Sequence, residues 1–136
     1  MRVFLSSTKP GHRLADLLSS NPDSYWHTND SLPHFFHVEF PVLTYIQKLT
    51  IDLSYDSDDS YTPEHISIFV DQKHQQSRKL FEPEGTTVFE VKKSLFTLDL
   101  VIRANHQEGR DSHVRGIKLY GQDNKVIPLE ASSYEK

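Results

Sequence analysis

The feature that most constrains this chain is a period of two. In residues 46–55, Leu49, Ile51, Leu53 and Tyr55 alternate with Lys48, Thr50, Asp52 and Ser54. Ile66, Ile68 and Val70 share one face of a second run, and Ile117 and Leu119 one face of another. In residues 95–104, Phe96, Leu98, Leu100 and Ile102 alternate with Thr97, Asp99, Val101 and Arg103. Successive side chains of a strand point to opposite faces, so such alternation marks strands with one face buried and one wet. Further strands are expected at "VFLS", at "HFFHVEF" with Phe36, Val38 and Phe40 inward, and at "TTVFEV". Many short strands with turn-rich segments between them predict an all-β fold, two antiparallel sheets packed as a jelly-roll β-sandwich.

One segment breaks the pattern. Leu14, Leu17 and Leu18 stand at helical spacing ahead of Asn21-Pro22, which predicts a short N-terminal helical turn over an open end of the sandwich. "SYDSDDSYTPEH" reads as a polar loop and "DQKHQQSRK" as a polar connection. With 136 residues the chain is expected to be a single domain over 1–136, its core at about 3–128 and its last residues frayed.

Composition narrows the function classes. A formal net charge of −4 gives no electrostatic pull toward a phosphate backbone, which argues against nucleic acid as the main partner. No apolar run approaches the roughly 20 residues of a membrane span, which argues against a membrane partner. The chain has no Cys, which removes disulfides and thiolate ligands and fits an intracellular compartment. "MRVFLSS" turns polar too soon for a signal peptide.

The window "RANHQEGRDSHVRG" (103–116) concentrates the reactive side chains between two expected strands. Eight His invite a metal reading, but His34 and His37 sit at an odd separation and point to opposite faces of a strand. His106 and His113 share a loop without an obvious set of further ligands, so no metal and no cofactor is expected. Asp56, Asp58 and Asp59 lack the glycine and spaced Glu of an EF-hand loop and read as a solvated turn. Ser112 and His113 are adjacent, whereas a hydrolytic triad assembles from separate elements, and there is no G-x-S-x-G elbow. No catalytic residue is expected. The residue types suit binding better. Asn105, Gln107 and Asn124 donate and accept, Arg110 and Arg115 can fork onto carboxylates, and Tyr25, Tyr55 and Tyr61 are amphipathic anchors. Trp26 reads as core, and Arg110 with Asp111 as a staple inside the loop.

Four blocks stand in order: "LSSTKPG" (5–11), "DSYWHTNDSLPH" (23–34), "SYDSDDSYTPEHISI" (54–68) and "ANHQEGRDSHVRGIKLY" (104–120). Together they resemble the Doc domain family, the small subunit of the anaphase-promoting complex (cyclosome), from about Phe4 to Tyr120. The resemblance implies a galactose-binding-domain-like jelly roll. It implies a non-catalytic subunit of an E3 ubiquitin ligase, in the nucleus and cytoplasm, that promotes processive ubiquitination in cell-cycle control. Its implied partners are cullin, RING and tetratricopeptide-repeat subunits, a WD-repeat coactivator that completes the receptor, and destruction-box peptides of substrates. The implied degron-binding rim is Ser60, Tyr61, Asn105, His106, Gln107, Glu108, Arg110, Asp111 and His113. The alternative is a carbohydrate-binding module on the same fold, since fold alone does not fix the ligand.

Three departures from the family pattern stand out. Glu108 occupies a position that is often Asn, replacing an amide with an acceptor-only carboxylate and suggesting adaptation toward basic residues in the degron. The family's Ile-Arg tail, which docks on a tetratricopeptide-repeat subunit, is not found before the sequence stops at "SSYEK", so that docking mode is expected to be absent or lost by truncation. The chain starts almost on its first strand, so a minimal core version is expected.

Overall fold

A computed structural model of the chain describes residues 1–130. The strands are β1 (Arg2–Leu5), β2 (Trp26–His27), β3 (His34–Ser54), β4 (Pro63–Val70), β5 (Lys73–Lys79), β6 (Glu84–Asn105), β7 (His113–Val114), β8 (Gly116–Tyr120) and β9 (Val126–Ile127). Two short helices, α1 (Leu14–Leu17) and α2 (Tyr55–Asp58), complete the elements used below.

β3 and β6 run antiparallel to each other for most of their lengths and carry the architecture. Their ladder slips between Glu39 and Thr44, and each half then has different neighbours. The first half of β3 pairs with β1 and with the second half of β6, which continues through β4 to β5. The second half of β3 pairs with the first half of β6 and with β8, which continues to β9. The two halves form the two layers of the sandwich. Phe36, Val38, Ile66, Ile68, Leu98, Leu100 and Ile102 from one layer meet Leu49, Ile51, Leu53, Phe89, Ile117 and Leu119 from the other in a single core. Each such side chain contributes about 1.5–3 kcal/mol on leaving water. Trp26 is fully buried and its indole N–H donates to the carbonyl of Ser7 at 2.8 Å. α1 buries Leu14 and Leu17 in the same core.

Three local expectations are corrected. Phe96 is 48% exposed while Leu95 is fully buried. The slip in the ladder breaks the alternation there, and the N–H groups of Phe96 and Thr97 both donate to one oxygen of Asp71, at 2.9 and 3.0 Å. The segment read as a polar connection contains β5, an edge strand joined to β4 through Asp71 and Gln72, both at positive φ as hairpin turns require. It is wet on nearly its whole length, so no apolar alternation announces it. The segment read as a polar loop holds α2 and a 3-10 turn over Asp59–Tyr61, and Asp58 within it is only 4% exposed. The expected fraying of the last residues falls on 131–136, outside the described residues.

Candidate functional site

β3 and β6 end, and β4 and β8 begin, at one end of the sandwich, so the segments 55–62, 80–83 and 106–112 share a rim. The rim has an inner and an outer layer.

Asn105 is the hub of the inner layer. It is 2% exposed and closes the loop on itself: its amide N–H groups donate to the carbonyls of Gly109 (3.0 Å) and Asp111 (3.2 Å), and its Oδ1 accepts from the Ser112 hydroxyl (2.6 Å). His106 is 6% exposed, in a 3-10 turn over His106–Glu108. Its Nε2 accepts from the N–H of Glu82 at 3.1 Å, so the ring proton sits on Nδ1 and donates to the carbonyl of Thr62 at 2.9 Å. The His106 N–H donates to that same carbonyl. Gly109 lies so close to the 59–61 corner that a Cβ there would stand 1.9 Å from the carbonyl oxygen of Ser60. A glycine at this position lets the loop seat on the corner.

The far side of the loop is tied by carboxylates. Asp111 accepts from the Thr28 hydroxyl (2.9 Å), the Asp30 N–H (3.1 Å) and the Arg110 guanidinium (2.7 and 3.0 Å). Burial pushes its carboxyl up, but these donors outweigh it and hold it below the usual carboxylate range. This is the internal staple expected for Arg110 and Asp111. Arg115 forks onto Asp58, Nε to one oxygen at 3.0 Å and Nη2 to the other at 2.8 Å, and the Nδ1–H of His113 donates to Asp58 at 2.9 Å. Burial again raises the Asp58 carboxyl, but Arg115 and His113 bring it down to about 2. His34, fully buried, donates from Nε2 to the Arg110 carbonyl at 2.6 Å, and burial lowers its pKa. His37, three residues on, faces the other side of the sheet between Asp99 and Glu39, as the odd separation predicts. Burial lowers its pKa too, but the two carboxylates outweigh that and raise it overall.

Rings bridge the inner and outer layers. His113 stacks on Tyr61 at 4.3 Å and meets Tyr25 at 4.4 Å in a tilted contact, and Tyr25 stacks in turn on His12 at 4.3 Å. His27 flanks His113 at 4.5 Å. The outer layer is what remains in contact with solvent. Tyr61 is 41% exposed, and Gln107, Glu108 and Arg110 are exposed, with Ser60 half-buried beside them. Gln107 and Glu108 both adopt positive φ, and Gln107 is steadied by a bond to the Tyr55 hydroxyl at 2.9 Å.

All nine residues of the expected rim therefore lie at one end of the sandwich, but in different layers. Asn105, His106 and His113 face inward, Asp111 is half-buried, and the other five reach water. The polar side-chain atoms of Asn105 and His106 are already bonded within the rim. Ser112 and His113 turn to different partners, Asn105 and Asp58, and do not bond to each other. Among the described residues no three His, Asp or Glu side chains gather as a metal site. Asn124 lies in the turn beyond β8, away from this rim. The sequence reading missed Asp58 as a structural anion, and missed Thr28 and His34 as rim supports. Their partners in residues 110–115 lie 55 to 84 residues away, and no local spacing signals such pairings.

Solved structures agree on the sandwich fold. The chain matches the family 32 carbohydrate-binding module of Clostridium perfringens NanJ, solved with galactose, at a TM-score of 0.71 and 10% identity, covering 86% of this chain and 90% of that one. It matches a further such module, from a family 31 glycoside hydrolase of the same organism, at 0.70 and 10%, covering 89% and 92%. The fold class is thus the galactose-binding-like jelly roll.

Sequence is more specific. Residues 2–133 match the family described as "Anaphase-promoting complex, subunit 10 (APC10)". Anaphase-promoting complex subunit 10 of Drosophila melanogaster is 37% identical over 138 residues, covering 93% of this chain and 71% of that protein. The Homo sapiens subunit 10 is 35% identical over 143 residues, covering 97% and 74%. The chain belongs to the anaphase-promoting complex subunit 10 family, the Doc domain family.

Proposed function

We propose that the protein is a non-catalytic substrate-recognition subunit of the anaphase-promoting complex, an E3 ubiquitin ligase. In this reading the rim receives the polar, extended part of a destruction-box peptide whose other part a WD-repeat coactivator holds. The observation that carries the reading is the two-layer rim. A buried polar network fixes the loop at 105–113, and the side chains left to solvent at its edge, Tyr61, Gln107, Glu108 and Arg110, suit an extended peptide backbone. Each such contact contributes on the order of 1 kcal/mol. That is weak alone, but sufficient when the coactivator already holds the peptide at high effective concentration. The gain would appear as processivity, more ubiquitin transferred per binding event. The cullin and RING subunits would perform the transfer, and tetratricopeptide-repeat subunits would frame the docking. The nucleus and cytoplasm are the compartments this role requires.

The test is a reconstituted ligase with a destruction-box substrate and a coactivator. Tyr61→Ala with Gln107→Ala is expected to shorten the ubiquitin chains added per encounter while the complex still assembles. Unchanged chain length would remove the rim from substrate recognition.

A further inference from the structure

Phe81 is 88% exposed, more than any other large apolar side chain among the described residues. It does not lie on a loose segment. Its neighbour Leu80 donates its N–H to the Glu64 carbonyl at 2.7 Å, Glu82 donates to His106 Nε2 at 3.1 Å, and the Pro83 carbonyl accepts from the Tyr55 N–H at 2.9 Å. Glu82 sits at φ 41, a left-handed conformation that a non-glycine residue adopts only when its surroundings impose it. A strained, pinned turn that holds a phenylalanine ring in water is disfavoured on both counts by folding alone. Exposed aromatic side chains on rigid supports are the usual anchors of protein–protein contacts.

The turn belongs to the recognition rim. His106 is bonded to it directly, and Tyr55 bonds both Pro83 of the turn and Gln107 of the loop. The turn that carries the exposed Phe81 is thus bonded to His106 through the Glu82 N–H, while the exposed Tyr61 is stacked on His113 of the same loop. The same loop exposes the polar groups of Gln107 and Glu108.

We propose that Phe81 is a contact residue of this rim, packing against an apolar side chain of the same extended substrate peptide whose polar backbone lies over Gln107 and Glu108. The proposal rests on the peptide-receptor reading above and adds to it a sequence requirement. The bound segment must carry an apolar side chain at the Phe81 end of its polar stretch.

The experiment uses the assembled ligase with a coactivator and a destruction-box substrate. A benzophenone amino acid placed at position 81 is expected to photo-crosslink to the substrate. Crosslinking only to a subunit or the coactivator, or to nothing, would overturn the proposal. In parallel, Phe81→Ser is expected to lose processivity without lowering the domain's melting temperature or its incorporation into the complex. Loss of incorporation would make Phe81 an assembly contact and overturn the proposal. If Gln107→Ala reduces processivity and Phe81→Ser does not, the Phe81 contact falls while the receptor reading stands. If neither does, both fall.

Discussion

Asn105 and Gln107 are two residues apart in one loop, and both carry an amide. The first is 2% exposed and spends every polar atom on the loop itself, while the second reaches solvent with one bond to Tyr55. The difference separates two jobs that similar residue types can share. The inner layer of the rim, with Asn105, His106, Asp58, Asp111 and Arg115, gives the loop one shape. The outer layer, with Tyr61, Gln107, Glu108 and Arg110, is left to solvent, and in the proposed function it meets the peptide. Inner-layer changes should therefore act through stability, and outer-layer changes through recognition at constant stability.

The largest effect should come from Asp58→Ala. It strips the partner from Arg115 and His113 at a site where Asp58 is 4% exposed, and should cost about 4 kcal/mol in urea unfolding. Gly109→Ala comes next. The added Cβ would meet the Ser60 carbonyl at 1.9 Å, so the loop or the corner must move, at about 3 kcal/mol. Asn105→Ala leaves the buried Ser112 hydroxyl and two carbonyls without their partner, and should cost about 2 kcal/mol by the same measurement. If Asn105→Ala left stability unchanged and still abolished processivity, the division between layers would be drawn in the wrong place.

Acid should sharpen the same contrast. The Asp58 carboxyl lies at about 2 in the folded protein against 3.8 for an ordinary Asp, so the unfolded chain takes up its proton first. Its contribution is present above about pH 4 and is lost as pH falls toward 2, about 2 kcal/mol in all. The acid unfolding curve of Asp58→Asn should lack that component. The smallest stability effect belongs to the outer layer. Glu108→Gln should shift the melting temperature by an amount equivalent to less than about 0.5 kcal/mol. It should also relax any preference for basic residues in the bound peptide, read by comparing peptides with Lys or Ser opposite that edge.

The architecture was largely legible in the sequence. Leu49, Ile51, Leu53, Ile66, Ile68, Leu98, Leu100, Ile102, Ile117 and Leu119 are buried as their alternation requires. Phe96 was not, because one slip in a ladder reverses the faces on either side of it and depends on the partner strand. β5 was invisible because an edge strand wet on both faces needs no apolar pattern. That the rim residues share one end of the sandwich was legible from their position between strands. The layering of the rim was not, since an amide, a carboxylate or an imidazole serves equally well inside or outside a loop.

What the sequence determined by itself is therefore the strand pattern and the identity of most core residues, because alternation is carried by residues two apart and needs no partner to be seen. What only the tertiary structure decided is which rim residue faces which way. Asp58 is buried because Arg115 and His113 reach it from 57 and 55 positions away, and the Ser112 N–H is satisfied by Thr28 from 84. Burying a polar group is costly unless its bonds are remade, and here the chain remakes most of them between segments that meet only after the sandwich has closed.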